Sequence, residues 1–128
     1  MDVERVDFVS FLTQDMARAK HFYTEILGLA VEGEDESGND MELTLGQVTL
    51  DIFNPVSTGQ QFAPSPAGMA LRVPDVAAAR AELEARGVEF DGETVDTGVC
   101  HMAFFKDPDG NALMLHRRYA PFDDGRMP

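Results

Sequence analysis

The run Asp15-Met16-Ala17-Arg18-Ala19-Lys20-His21-Phe22-Tyr23-Thr24-Glu25-Ile26-Leu27-Gly28-Leu29 reads as a helix with both ends marked. Asp15 stands where an N-cap belongs, because its carboxylate can accept from the first free backbone N–H groups. Met16, Ala19, Phe22, Tyr23, Ile26 and Leu27 recur at helical spacing, which makes Phe22 and Tyr23 core residues. Gly28 follows at the C-cap position. Upstream, Val6 to Leu12 is rich in β-branched and aromatic residues and predicts a strand. Downstream, Leu29 to Glu32 predicts a strand, followed by an acidic, glycine-containing loop from Gly33 to Asn39. Further strands are expected over Met41 to Leu45 and Val48 to Phe53, joined by a Gly46-Gln47 hairpin.

The same order then recurs. Met69 to Val73 predicts a strand, Asp75 an N-cap, and Val76, Ala79 and Leu83 a helical stripe closed by Gly87. Strands are expected over Val88 to Thr94, Val99 to Phe105 and Ala112 to Arg117, with Asp107-Pro108-Asp109-Gly110-Asn111 as the turn before the last. Asp75 follows Asp15 by 60 residues, and Gly87 follows Gly28 by 59. The chain therefore divides into a first module over 1–53, a proline-bearing linker over 54–67, a second module over 68–118 and a tail over 119–128 that is expected to be loose.

Charge narrows the partners. Ten Lys and Arg against 23 Asp and Glu leave a formal net charge of −13 over 128 residues. Nucleic acid needs clustered cations, and an anionic membrane surface would repel such a chain. Cys100 is the only cysteine, so no internal disulfide can form, which fits a reducing compartment. Met1-Asp2-Val3-Glu4 lacks the basic start of a signal peptide, and no apolar run reaches membrane-spanning length. A cytoplasmic protein is expected.

The Asp15–Leu29 run, Val73-Pro74-Asp75-Val76, and Phe104-Phe105-Lys106-Asp107-Pro108-Asp109-Gly110-Asn111 together resemble the vicinal-oxygen-chelate superfamily. This is the glyoxalase, bleomycin-resistance protein and dioxygenase group. The resemblance runs from about Val6 to Arg117. It implies an α+β fold of two βαβββ modules, their eight strands forming a mixed sheet curled into an open cup with the helices outside. It also implies a homodimer. Strand alternation then turns Val9, Phe11, Met69, Leu71 and Val73 toward the helices. Phe8, Leu12, Asp51, Phe53, Arg72, Cys100, Met102, Phe104, Met114 and His116 face the cup.

Enzymes of this superfamily hold a divalent metal with His or Gln on the first strand of each module and Glu on the last. Counting from the caps places Phe8 and Gly68 at the first and third of these positions, with Met114 at the fourth. Only Asp51, near the second, is an oxygen donor, and one carboxylate does not hold such an ion. The expectation is a cup without the family metal that binds a small organic molecule, as in the bleomycin-resistance branch. Two alternatives stand beside it. One is a metal-dependent lyase, isomerase or dioxygenase with a displaced ligand set from Asp51, His101 and His116. The other is a metal-free enzyme with Asp51 or His116 as base and Arg72 as an anion clamp, since guanidinium binds carboxylate and phosphate bidentately. Asp51 paired with Arg72 is the plainer reading of both residues. Cys100 and His101 point to opposite faces of one strand, so they are not expected to act as a nucleophile and base. His21 is expected on a solvated helix face, and His101 to be satisfied structurally.

Overall fold

Both predicted N-caps form. In the computed structural model, which describes residues 1–128, the Asp15 carboxylate accepts from Arg18 N–H at 3.0 Å and that of Asp75 from Ala78 N–H at 2.9 Å. Helix α1 (Met16–Lys20) continues without a break into a π-helical segment, His21–Ile26, in which Leu27 N–H reaches back to Phe22 C=O at 2.9 Å. The widened turn buries the adjacent residues Phe22 and Tyr23 together. Helix α2 covers Val76–Ala85.

Eight strands accompany them: β1 (Phe8–Leu12), β2 (Val31–Glu34), β3 (Asp40–Leu45), β4 (Val48–Phe53), β5 (Met69–Arg72), β6 (Phe90–Asp96), β7 (Cys100–Lys106) and β8 (Ala112–Arg118). They form two four-stranded mixed sheets, ordered β1-β4-β3-β2 and β5-β8-β7-β6. In each, the first strand runs parallel to the last and the other pairings are antiparallel. This is one βαβββ arrangement made twice, in an α+β fold.

Strands β2 and β6 both start two residues later than their composition predicts, for the same reason. After Gly28, with φ at 78°, Leu29 N–H bonds Tyr23 C=O; after Gly87, with φ at 91°, Val88 N–H bonds Leu83 C=O. The residues that follow each glycine still close the helix end, and left-handed φ at the glycine permits it. Strand β8 runs one residue further than predicted, to Arg118.

The chain comprises two compact units, residues 1–65 with 108–111, and residues 66–107 with 112–128. In the first, α1 packs on β4, and its core holds Phe11, Ala19, Phe22, Tyr23, Met41, Leu43, Leu50 and Ile52. In the second, α2 packs on β7 and β8, with Val76, Leu83, Ala103, Phe105, Leu113 and Leu115 buried. Period-two alternation decides both cores. Every buried strand residue named here shares the helix-covered face, which leaves the opposite face of each sheet open. The expected linker carries one 3-10 turn, Pro55–Ser57, capped by the Asn54 side chain.

The segment 119–128, expected to be loose, is tied down. Tyr119 Oη donates to Asp96 at 2.8 Å, and Phe122 N–H donates to Arg126 C=O at 2.8 Å. The Phe122 ring also takes the Arg118 guanidinium at 4.3 Å and that of Arg126 at 5.1 Å. Cation–π contacts supply order where the backbone pattern alone reads as loop.

Candidate functional site

On the open face of the first unit, parallel pairing of β1 with β4 sets Ser10 beside Asp51 and Leu12 beside Phe53. Antiparallel pairing of β3 with β4 adds Glu42 opposite Asp51 and Asp40 opposite Phe53. Ser10 Oγ donates to Asp51 Oδ2 at 3.0 Å, so the Asp51 carboxylate is answered by a hydroxyl and not by an arginine. The inner oxygens, Asp40 Oδ1 and Asp51 Oδ1, are buried with no donor facing them. Burial first, and then hydrogen bonding to Asp40, push the Asp51 pKa up to about 7, against the opposing pull of Ser10; the charges of Asp40 and Glu42 add to the rise. A proton on Asp51 therefore supplies the donor that this acid pair lacks. Phe8, at the start of β1, is 59% exposed.

On the open face of the second unit, β5 and β8 pair Ala70 with Met114 and Arg72 with His116. Strands β7 and β8 pair Met102 with His116, Phe104 with Met114 and Cys100 with Arg118. A cavity of about 270 Å³ opens at one end of this face, lined by Arg72, Cys100, His116, Arg118, Phe122 and Pro128. Arg72 and His116 make no side-chain hydrogen bond or ion pair. The Cys100 thiol lies 3.1 Å from Thr97 Oγ1. Arg118 is held by the carbonyls of Ala120 and Pro121, at 2.9 and 2.7 Å.

The helix-side face of the same unit carries His101 opposite Arg117. There His101 Nε2 lies 3.3 Å from Asp96 and the ring stacks on Tyr119 at 4.9 Å. His101 and Cys100 therefore lie on opposite faces, as do His101 and His116. His21, in the first unit, is solvent-exposed.

Of the residues expected around the cup, Arg72, Cys100 and His116 meet at one cavity, while Met102, Phe104 and Met114 share its sheet face. Phe8, Leu12, Asp51 and Phe53 lie on the sheet of the first unit.

The family metal set can be tested against these faces. Phe8 and Met114 offer no hard donor, and a Cβ on Gly68 would stand 2.7 Å from Met114 Cε. The methionine tip thus occupies the space where a third-position side chain would begin. No group of three or more His, Cys, Asp or Glu side chains is arranged to hold a metal ion. These residues do not fit the family's metal.

The model of the Glyoxalase/Bleomycin resistance protein/Dioxygenase superfamily matches residues 5–115. The chain belongs to this superfamily. It is 30% identical over 129 residues to the uncharacterised protein YaeR of Escherichia coli K12, covering 92% of this chain and 99% of YaeR. Among solved structures it resembles SMU.1112c, at 30% identity and a TM-score of 0.74, covering 91% of this chain and all of that one. It also resembles TnmS3, an antibiotic binding protein from Streptomyces sp. CB03234. That match has 28% identity and a TM-score of 0.77 and covers 92% and 98% of the two chains. No helix of the chain is long and apolar enough to cross a membrane.

Sequence reading left out three lining groups of this superfamily member, Arg118, Phe122 and Pro128. Arg118 was within reach, because it continues the alternation Met114, His116, Arg118 once β8 is extended by one residue. Phe122 and Pro128 come from the segment after β8 and carried no periodic signal. Asp40 read as the end of an acidic loop, and only the β3–β4 register sets it on the face of Asp51.

Proposed function

We propose that this superfamily member binds a small organic molecule without a metal ion, on the sheet faces its helices leave open, and that it does so as a homodimer. One observation carries the reading: three of the four family ligand positions, Phe8, Gly68 and Met114, lack a hard donor atom, and Met114 fills the notch over Gly68. The open faces combine apolar and methionine side chains with a few polar groups, the usual make-up of a small-molecule site. Similarity to an antibiotic binding protein supports the same class of function. Elemental analysis of protein purified without chelator, paired with native mass spectrometry, tests the proposal. The expected result is no stoichiometric divalent metal and a retained or exchangeable organic ligand released unchanged. A stoichiometric metal ion that survives dialysis overturns it.

A second reading rests on Asp51. A carboxylate titrating near about 7 is poised as a general base, so the same fold can support metal-free proton transfer. Turnover of a bound compound that persists in chelator and disappears in Asp51→Asn selects this reading over simple binding.

A further inference from the structure

The chain carries −13 overall, yet the wall of the 270 Å³ cavity in the second unit contains two arginines, a histidine and no Asp or Glu side chain. Two acids close in sequence, Asp96 and Asp124, are engaged elsewhere. Asp96 serves Tyr119 and His101, and Asp124 serves Arg126. The Arg118 charge is met by backbone carbonyls and an aromatic ring, which orient a guanidinium without neutralising it. Arg72 has no side-chain partner, so the donor fork of its guanidinium is free. Register sets it beside His116 on the neighbouring strand, and Arg118 is two residues further along that strand. Phe122 and Pro128 add an apolar wall.

We propose that Arg72, His116 and Arg118 seat the anionic head, carboxylate or phosphate, of a small organic ligand whose body lies against Phe122 and Pro128. The proposal rests on the reading of the chain as a metal-free binder and names the class of molecule bound. Arg72 supplies the bidentate contact that planar or tetrahedral oxyanions favour over neutral groups. His116 supplies a ring N–H, and Arg118, already ordered by its carbonyl and ring contacts, adds charge at little entropic cost. The cavity has room for a head group with one ring or a short chain.

The test uses benzoate, phenyl phosphate, inorganic phosphate and neutral benzyl alcohol. Each is titrated into the whole protein by calorimetry, and arginine Nε–H signals are followed by NMR. Benzoate and phenyl phosphate are expected to bind and shift the Arg72 signal, while benzyl alcohol does not bind. Arg72→Gln should weaken both aromatic anions about tenfold, with Arg72→Lys intermediate because charge remains and the fork is lost. Phe122→Ala should weaken phenyl phosphate more than inorganic phosphate, which loses only the ring's ordering of Arg118. Arg117→Gln removes the same charge from the opposite face and should change neither. Failure of both aromatic anions to bind, equal losses in Arg72→Gln and Arg117→Gln, or equal binding of benzyl alcohol and benzoate overturns the proposal. Elemental analysis of the same preparation separates the two levels. Metal-free protein that releases a neutral ligand sinks only the anion assignment, whereas stoichiometric metal sinks the underlying reading.

Discussion

Asp51 is the residue whose chemistry departs furthest from its ordinary behaviour. Its pKa is raised to about 7, so the folded protein holds a proton that the unfolded chain loses near 3.8. Below 3.8 both states carry the proton and folding suffers no penalty. Stability falls as pH rises from 3.8 to about 7, and the penalty is constant above that. Asparagine keeps the acceptor for Ser10 and offers Asp40 a permanent N–H. Asp51→Asn should therefore stabilise the fold by about 1–2 kcal/mol at about pH 8, the full shift being discounted for partial exposure. The gain should shrink toward about pH 4. Urea titrations at both pH values check this, and an equal loss at each would refute it. The sequence showed Asp51 on the open face but not its partner. Cross-strand neighbours depend on register, and the Asp40 neighbour is visible only once β3 is paired with β4.

At the scale of elements, the Asp107–Asn111 turn does more than reverse the chain. The Asp109 carboxylate is inaccessible to solvent and accepts from Thr13 Oγ1 at 2.6 Å, Gln14 N–H at 2.9 Å and Arg18 Nη2 at 2.9 Å. The fully buried Asn111 donates to Leu12 C=O at 2.9 Å and accepts from Ser65 N–H at 2.8 Å. This turn therefore fixes the end of β1 and the start of α1. Asp109→Ala leaves a hydroxyl, an amide and a guanidinium without their shared acceptor and should cost about 2–3 kcal/mol. Asp75→Ala, which removes one cap bond at the α2 N-terminus, should cost only about 1 kcal/mol. Chemical denaturation of the two variants side by side tests the ranking, and equal losses would contradict it. Composition marked this segment as a turn, and the repeat marked the order of elements. The bonds to Thr13, Gln14 and Arg18 span more than 90 residues of sequence and leave no local pattern. The strand starts after Gly28 and Gly87 were hidden for a related reason. A helix end that closes beyond its glycine looks the same, in composition, as the beginning of a strand.

For the whole molecule, charge and exposed apolar surface pull in opposite directions. Strand β1 is an edge of its sheet, with Phe8 59% and Val9 37% exposed, and Val6 just before it is 57% exposed. An apolar edge strand left to water is an invitation to pair, and natural proteins cover it or charge it. The −13 on each chain opposes the approach of a second copy. Salt shortens the reach of that repulsion to about 3 Å at 1 M and leaves apolar contact intact or strengthened. The proposed homodimer should therefore tighten as salt rises, the reverse of an assembly held by ion pairs. Sedimentation velocity across a salt series should show a mass approaching twice 14.1 kDa at high salt and dissociation at low salt. Val9→Glu adds charge to the edge strand itself and should shift the protein to monomer at every salt concentration. A chain that remains monomeric throughout, or a dimer that salt dissolves, would show that this edge is not what joins two copies.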